Sequence, residues 1–138
     1  MVIGYTSGVY DLFHIGHLNL LNNCKALCDK LIVGVSTDEL VQAHKNKTPV
    51  IPFSERAEIV RNIKCVDGVV AQETYEKLDM LAKIKFDIMF VGDDWHSTDK
   101  WKAIEKKLDN DGVRVVYFPY TKTTSSTLIN ETLLNLRS

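Results

Sequence analysis

The 138-residue chain carries 17 Lys and Arg against 18 Asp and Glu, a net charge of −1, with 45% hydrophobic and 25% charged residues. That balance excludes a disordered chain and lacks the broad basic footprint of a nucleic-acid or anionic-membrane binder. No apolar run approaches the roughly 18 residues needed to span a bilayer, no leader segment is recognisable, and Cys24, Cys28 and Cys65 cannot all pair; one cytoplasmic domain over 1–138 is expected, without membrane or nucleic-acid partners.

In chain order, Val2–Thr6 reads as a strand and Ile15–Leu27 as an apolar-periodic helix. Leu31–Val35 is a near-continuous apolar strand, and Ser54 is expected to cap a helix running through Ile63. Val66–Ala71 reads as a third strand and Tyr75–Ile84 as a helix; Asp87–Val91 is a strand ending at Gly92, and Lys100–Leu108 a helix broken at Asn110-Asp-Gly112. Val113–Phe118 is the fifth strand, and a last helix is expected from Ser125 to Leu136. Val41–Phe53, with His44, Lys45, Lys47, Pro49 and Pro52, is predicted to be one long irregular loop, functional or mobile.

Apolar strands alternating with helices predict a single Rossmann-like, doubly wound α/β domain: a five-stranded parallel sheet in the order 3-2-1-4-5. Such sheets bind ligands beyond the carboxyl ends of their strands. The segments to watch are therefore Ser7–His17, Ser36–Lys47, Gly92–Trp101 and Pro119–Thr127.

The first strand runs into Ser7-Gly-Val-Tyr-Asp-Leu-Phe-His-Ile-Gly-His17. His14 and His17 share one face at a helix start, where free N–H groups and the helix dipole favour an anion. Gly8 is expected to let backbone approach a ligand. On spacing alone the pair reads as a phosphate site, a partly buried pair or half of a zinc site that lacks its third ligand. Cys24 and Cys28, four apart on the same helix, read as core and flank.

From Gly8 to His17 the chain matches G-x-[FY]-D-x-x-H-x-G-H and so resembles the nucleotidyltransferase superfamily. Val35–Glu39, Glu55-Arg56, Val91–Trp95 and Val116–Pro119 extend a likeness to the glycerol-3-phosphate cytidylyltransferase family over nearly the whole chain. The resemblance implies transfer of CMP from CTP to a phosphorylated small alcohol with release of pyrophosphate, Mg²⁺ bound with the triphosphate, and a homodimer. Residue by residue it implies that His14 and His17 meet the triphosphate and the transition state, with Lys45 and Lys47 closing over phosphates as catalytic and acceptor-binding groups. Gly8, Val9, Tyr10 and Asp11 would line the nucleotide pocket through backbone and the Asp11 side chain, together with Asp94, Tyr120, Thr121, Ser125, Ser126 and Thr127. Arg56, Lys64 and Trp95 would serve the acceptor, Arg56 and Lys64 by holding anions or supporting the pocket.

The chain departs from the family after Pro119, where R-T-x-G-I-S-T-T becomes Tyr120-Thr-Lys-Thr-Thr-Ser-Ser-Thr127. Tyr120 lacks the charge and forked donors of arginine, and Lys122 is the nearest substitute cation. Thr124–Thr127 also resembles the I-S-S-T element of adenylyl-transferring relatives. A CTP enzyme with a phosphorylated acceptor of its own, serving teichoic acid or capsule precursors, is the expected function. Adenylyl transfer to a sugar phosphate and a non-catalytic nucleotide-binding module are the alternatives.

Overall fold

A computed structural model describes residues 1–74, 76–92 and 99–118. The elements in chain order are β1 (Ile3–Gly8), α1 (Ile15–Lys25), β2 (Lys30–Ser36), α2 (Asp38–Lys45), α3 (Phe53–Arg61), β3 (Gly68–Gln72), α4 (Lys77–Ile84), β4 (Ile88–Gly92), α5 (Asp99–Asn110) and β5 (Arg114–Phe118). The strands form one parallel sheet in the order β3-β2-β1-β4-β5, as expected. The helix predicted over 125–136 and the first residue of the Tyr75 helix lie outside the described residues.

Period-two alternation sorts the strand side chains into two cores. Leu31, Val33 and Val35 of β2 join Phe90 of β4 against Leu21 and Cys24 of α1 and Val60 of α3. Tyr5 of β1 and Met89 of β4 pack instead with Met80 of α4 and Leu108 of α5. Helices therefore cover both faces, which makes the sheet doubly wound. Gly34 leaves the space into which the buried Tyr5 hydroxyl donates to Gln72 Oε1; a Cβ there would collide with that hydroxyl. The three thiols are free, with Cys24 buried in the first core.

Two local expectations are corrected. The long loop from Val41 is a helix as far as Lys45, because Thr37 caps it by accepting from Leu40 N and Asp38 and Glu39 complement its dipole. Leu40 and Val41 are buried, and Asn46 ends the helix in the left-handed region. Ser54 is not a cap: α3 starts at Phe53, with Pro52 in the capping position at φ −63°.

Candidate active site

The β1–α1 turn brings the histidines together. Tyr10 (φ 55°) and Leu12 (φ 51°) adopt left-handed backbone on either side of Asp11, an uncommon conformation for residues with a Cβ. Gly8 matters here for a reason other than ligand approach: a Cβ would press at 3.1 Å on the Tyr10 ring. That ring is buried in the core and meets His17 edge-on at 5.4 Å.

His14 is the N-cap of α1 and accepts from Gly16 N at 3.0 Å through Nδ1. His17 Nδ1 accepts in turn from His14 N at 3.2 Å. The two close a capping box with imidazoles in place of the usual hydroxyl and carboxylate. A backbone N–H only donates, so each Nδ1 is an acceptor and the ring proton sits on Nε2. Both rings, 4.0 Å apart between centroids, thereby become neutral Nε2–H donors at a helix N-terminus. Burial lowers the pKa of His14; burial, then the neighbouring His14, lowers that of His17 to about 4 against the opposing pull of Asp11.

Lys45 ends α2 and Lys47 follows in the connection to α3. Burial, then the charge of Lys47, lowers the Lys45 pKa. The ion pairs among the described residues are Lys25–Asp67, Arg56–Asp38 and Arg61–Glu58, and neither Lys45 nor Lys47 enters one.

Two expected ligand contacts are placed otherwise. The Arg56 side chain is fully buried and cannot reach an acceptor. Its Nε donates to Ile51 O at 2.8 Å, Nη1 to Val9 O at 2.7 Å and Ser36 O at 2.8 Å, and Nη2 to Asp38 Oδ1 at 2.7 Å. Of the two alternatives, holding an anion or supporting the pocket, this burial and these protein partners favour support. Lys64 lies in the α3–β3 connection, beside the starts of the strands, the edge opposite the histidines within one chain. Asp11 spends both carboxylate oxygens on backbone, accepting from Val50 N at 2.8 Å and Ile51 N at 3.0 Å. Asp94, Trp95, Tyr120, Thr121, Lys122, Ser125, Ser126 and Thr127 lie outside the described residues. Asp38 was missed as a site residue. Its signal is the Thr37-Asp38-Glu39 start of a helix directly after an apolar strand.

A neutral donor pair at a helix N-terminus, at the carboxyl edge of a parallel sheet that also carries two lysines without an ion pair among the described residues, suits a phosphate chain. The Cytidylyltransferase-like family model matches residues 5–132. The chain belongs to this family. It is similar to glycerol-3-phosphate cytidylyltransferase of Bacillus subtilis (strain 168), at 35% identity over 134 residues, 95% of this chain and 96% of that one. It is also similar to an FAD synthase of Pyrococcus abyssi (strain GE5 / Orsay), at 38% identity over 116 residues, 82% of this chain and 77% of that one. Among solved structures, the lipopolysaccharide core biosynthesis protein from Thermoplasma volcanium GSS1 aligns with a TM-score of 0.73 at 25% identity, over 90% of this chain and 99% of that one. This member of the cytidylyltransferase-like family is a nucleotidyltransferase. Among the described residues, no helix is long and apolar enough to cross a membrane.

Proposed function

We propose that this nucleotidyltransferase transfers CMP from CTP to a phosphorylated small-molecule acceptor, glycerol 3-phosphate or a related metabolite, with release of pyrophosphate. The observation that carries the reaction type is the histidine capping box, which sets two uncharged Nε2–H donors at the N-terminus of α1. An acceptor phosphate oxygen attacks the α-phosphorus in line, the new O–P bond forms as the bond to the β-phosphate oxygen breaks, and pyrophosphate leaves. No covalent enzyme intermediate is needed, so positioning and charge neutralisation make up most of the catalytic task. His14 and His17 donate to the oxygens on which charge grows, and Lys45 and Lys47 neutralise the triphosphate. Mg²⁺, bound with the triphosphate, would supply charge neutralisation there. The donor set suits that arrangement, since Asp11, the carboxylate of the β1–α1 turn, is engaged by backbone N–H groups. A cytoplasmic homodimer that supplies precursors of a surface polymer completes the reading, on family likeness.

The nearly full-length likeness to the Bacillus cytidylyltransferase favours CTP. A second reading, adenylyl transfer from ATP, is supported by the FAD synthase likeness and the Thr124-Ser-Ser-Thr127 run. Pyrophosphate release from CTP and from ATP, with Mg²⁺ and a panel of phosphorylated acceptors including glycerol 3-phosphate, separates them. Turnover with CTP is expected; turnover with ATP alone rejects the base assignment, and silence with every pair rejects the reaction.

A further inference from the structure

Lys45 and Lys47 sit in a stretch that is pinned on both sides. Upstream, Asp38 accepts from Arg56 Nη2 at 2.7 Å through Oδ1 and from Phe53 N at 3.2 Å through Oδ2, which ties the start of α2 to the start of α3. Downstream, Asp11 takes the N–H groups of Val50 and Ile51, while Arg56 Nε takes the Ile51 carbonyl. The same guanidinium holds the carbonyls of Val9 and Ser36, the residues at the ends of β1 and β2. Asp11 stands three residues before His14. One network, centred on the buried Arg56 side chain, thus joins the turn that carries the histidines to both ends of the segment that carries the lysines.

We infer that Asp11, Arg56 and Asp38 are positioning residues that fix Lys45 and Lys47 relative to His14 and His17 before a phosphate chain arrives. None of the three needs to touch the anion. The carboxylates and the guanidinium are engaged by backbone and, between Asp38 and Arg56, by each other, and their effect on binding passes through the lysines. The 46–52 connection is anchored before binding, so less ordering is left for the moment of association. The inference rests on the phosphate role given to Lys45 and Lys47 in the proposed reaction.

The test is a mutant cycle read by calorimetric binding of inorganic tripolyphosphate in the presence of Mg²⁺. It compares the wild type, Asp11→Asn, the Lys45→Ala/Lys47→Ala variant and all three changes together. Asparagine keeps the size of Asp11 but offers an NH₂ to one of the two backbone N–H donors. Asp11→Asn is expected to weaken binding about tenfold in the wild-type background and less than about twofold without the lysines, the non-additivity of groups that act as a unit. A residue that only stabilises the fold would cost the same in both backgrounds. Equal losses, or no tripolyphosphate binding by the wild type, overturn the inference. If thermal unfolding shows that Asp11→Asn does not fold, Asp38→Asn enters the same cycle with the same expectation. Because the probe has no base and no acceptor, intact coupling without CTP turnover would reject the proposed reaction and leave the positioning set standing.

Discussion

The two edges of the sheet use the same side chain for opposite purposes. Where strands begin, Asp29, Asp67 and Asp87 each precede a strand, and each makes a reciprocal pair with a residue at or next to the start of the neighbouring one. Asp29 N donates to Val2 O while Asp29 Oδ2 accepts from Val2 N; Asp67 repeats this with Leu31, and Asp87 with Ile3. Those carboxylates extend the strand ladder by one step. Where strands end, Asp11 and Asp38 also accept backbone N–H groups, but from the segment that follows α2. There the bonds hold a loop, and its lysines enter no ion pair among the described residues. The difference teaches that an aspartate on a backbone N–H is stitching or site architecture according to what the held backbone carries.

The comparison breaks most visibly at Arg56. Arg56→Met is expected to cost about 3–5 kcal/mol in urea denaturation, because it strands the buried carbonyl of Ser36, the half-buried carbonyl of Val9 and half of the Asp38 carboxylate. A loss below about 1 kcal/mol would show that the strand-end edge does not depend on this network. His14→Ala and His17→Ala are each expected to lower turnover by about 10²–10³-fold, the usual effect of removing a donor aimed at developing charge. Near-normal pyrophosphate release in both variants would reduce the capping box to a purely structural feature.

Acid sharpens the contrast. The folded state resists protonation of His14 and of His17, the latter down to about 4, whereas the unfolded chain takes up those protons near the ordinary 6.5. Their contribution to stability is therefore complete above pH 6.5 and is lost as the pH falls toward about 4. The thermal midpoint of His17→Gln should fall less across that window than that of the wild type, and parallel curves would refute the assignment. The smallest effect belongs to the strand-start edge. Lys25 first, then Leu31 N, holds the Asp67 carboxyl below its usual range, a contribution present above the ordinary 3.8 and lost as the pH falls through the folded value. Both partners of that pair are about one-third exposed. Asp67→Asn should thus cost only about 0.5–1 kcal/mol and leave turnover unchanged; a loss of turnover would mean that the two edges are coupled.

Much of the fold is legible in the sequence. Leu31–Val35 and Ile88–Val91 can bury on both faces only inside a parallel sheet, and the apolar periodicity of α1 and α4 supplies the covers. The histidine pair is legible too, because its spacing and its place at a strand-to-helix turn are local properties. What escaped is α2, whose cap at Thr37 and acidic first turn were outweighed by the prolines and lysines farther along. Asp11 is legible as an important position but not in its backbone partners, and for Arg56 the sequence leaves holding an anion and supporting the pocket as alternatives.

Composition and periodicity by themselves determined the class of fold and the edge on which to look, and the Gly8–His17 spacing determined the pair of donors. Both depend on contacts within a few residues or on which face a strand presents. Only the tertiary structure decided which charges face one another and which face a ligand. Arg56 reaches Val9, 47 residues away, and Asp11 reaches Val50 and Ile51, 39 and 40 residues away. No local pattern records partners at such separations. A buried cation and a substrate-binding cation look alike in a sequence until folding shows which one has its hydrogen bonds already filled.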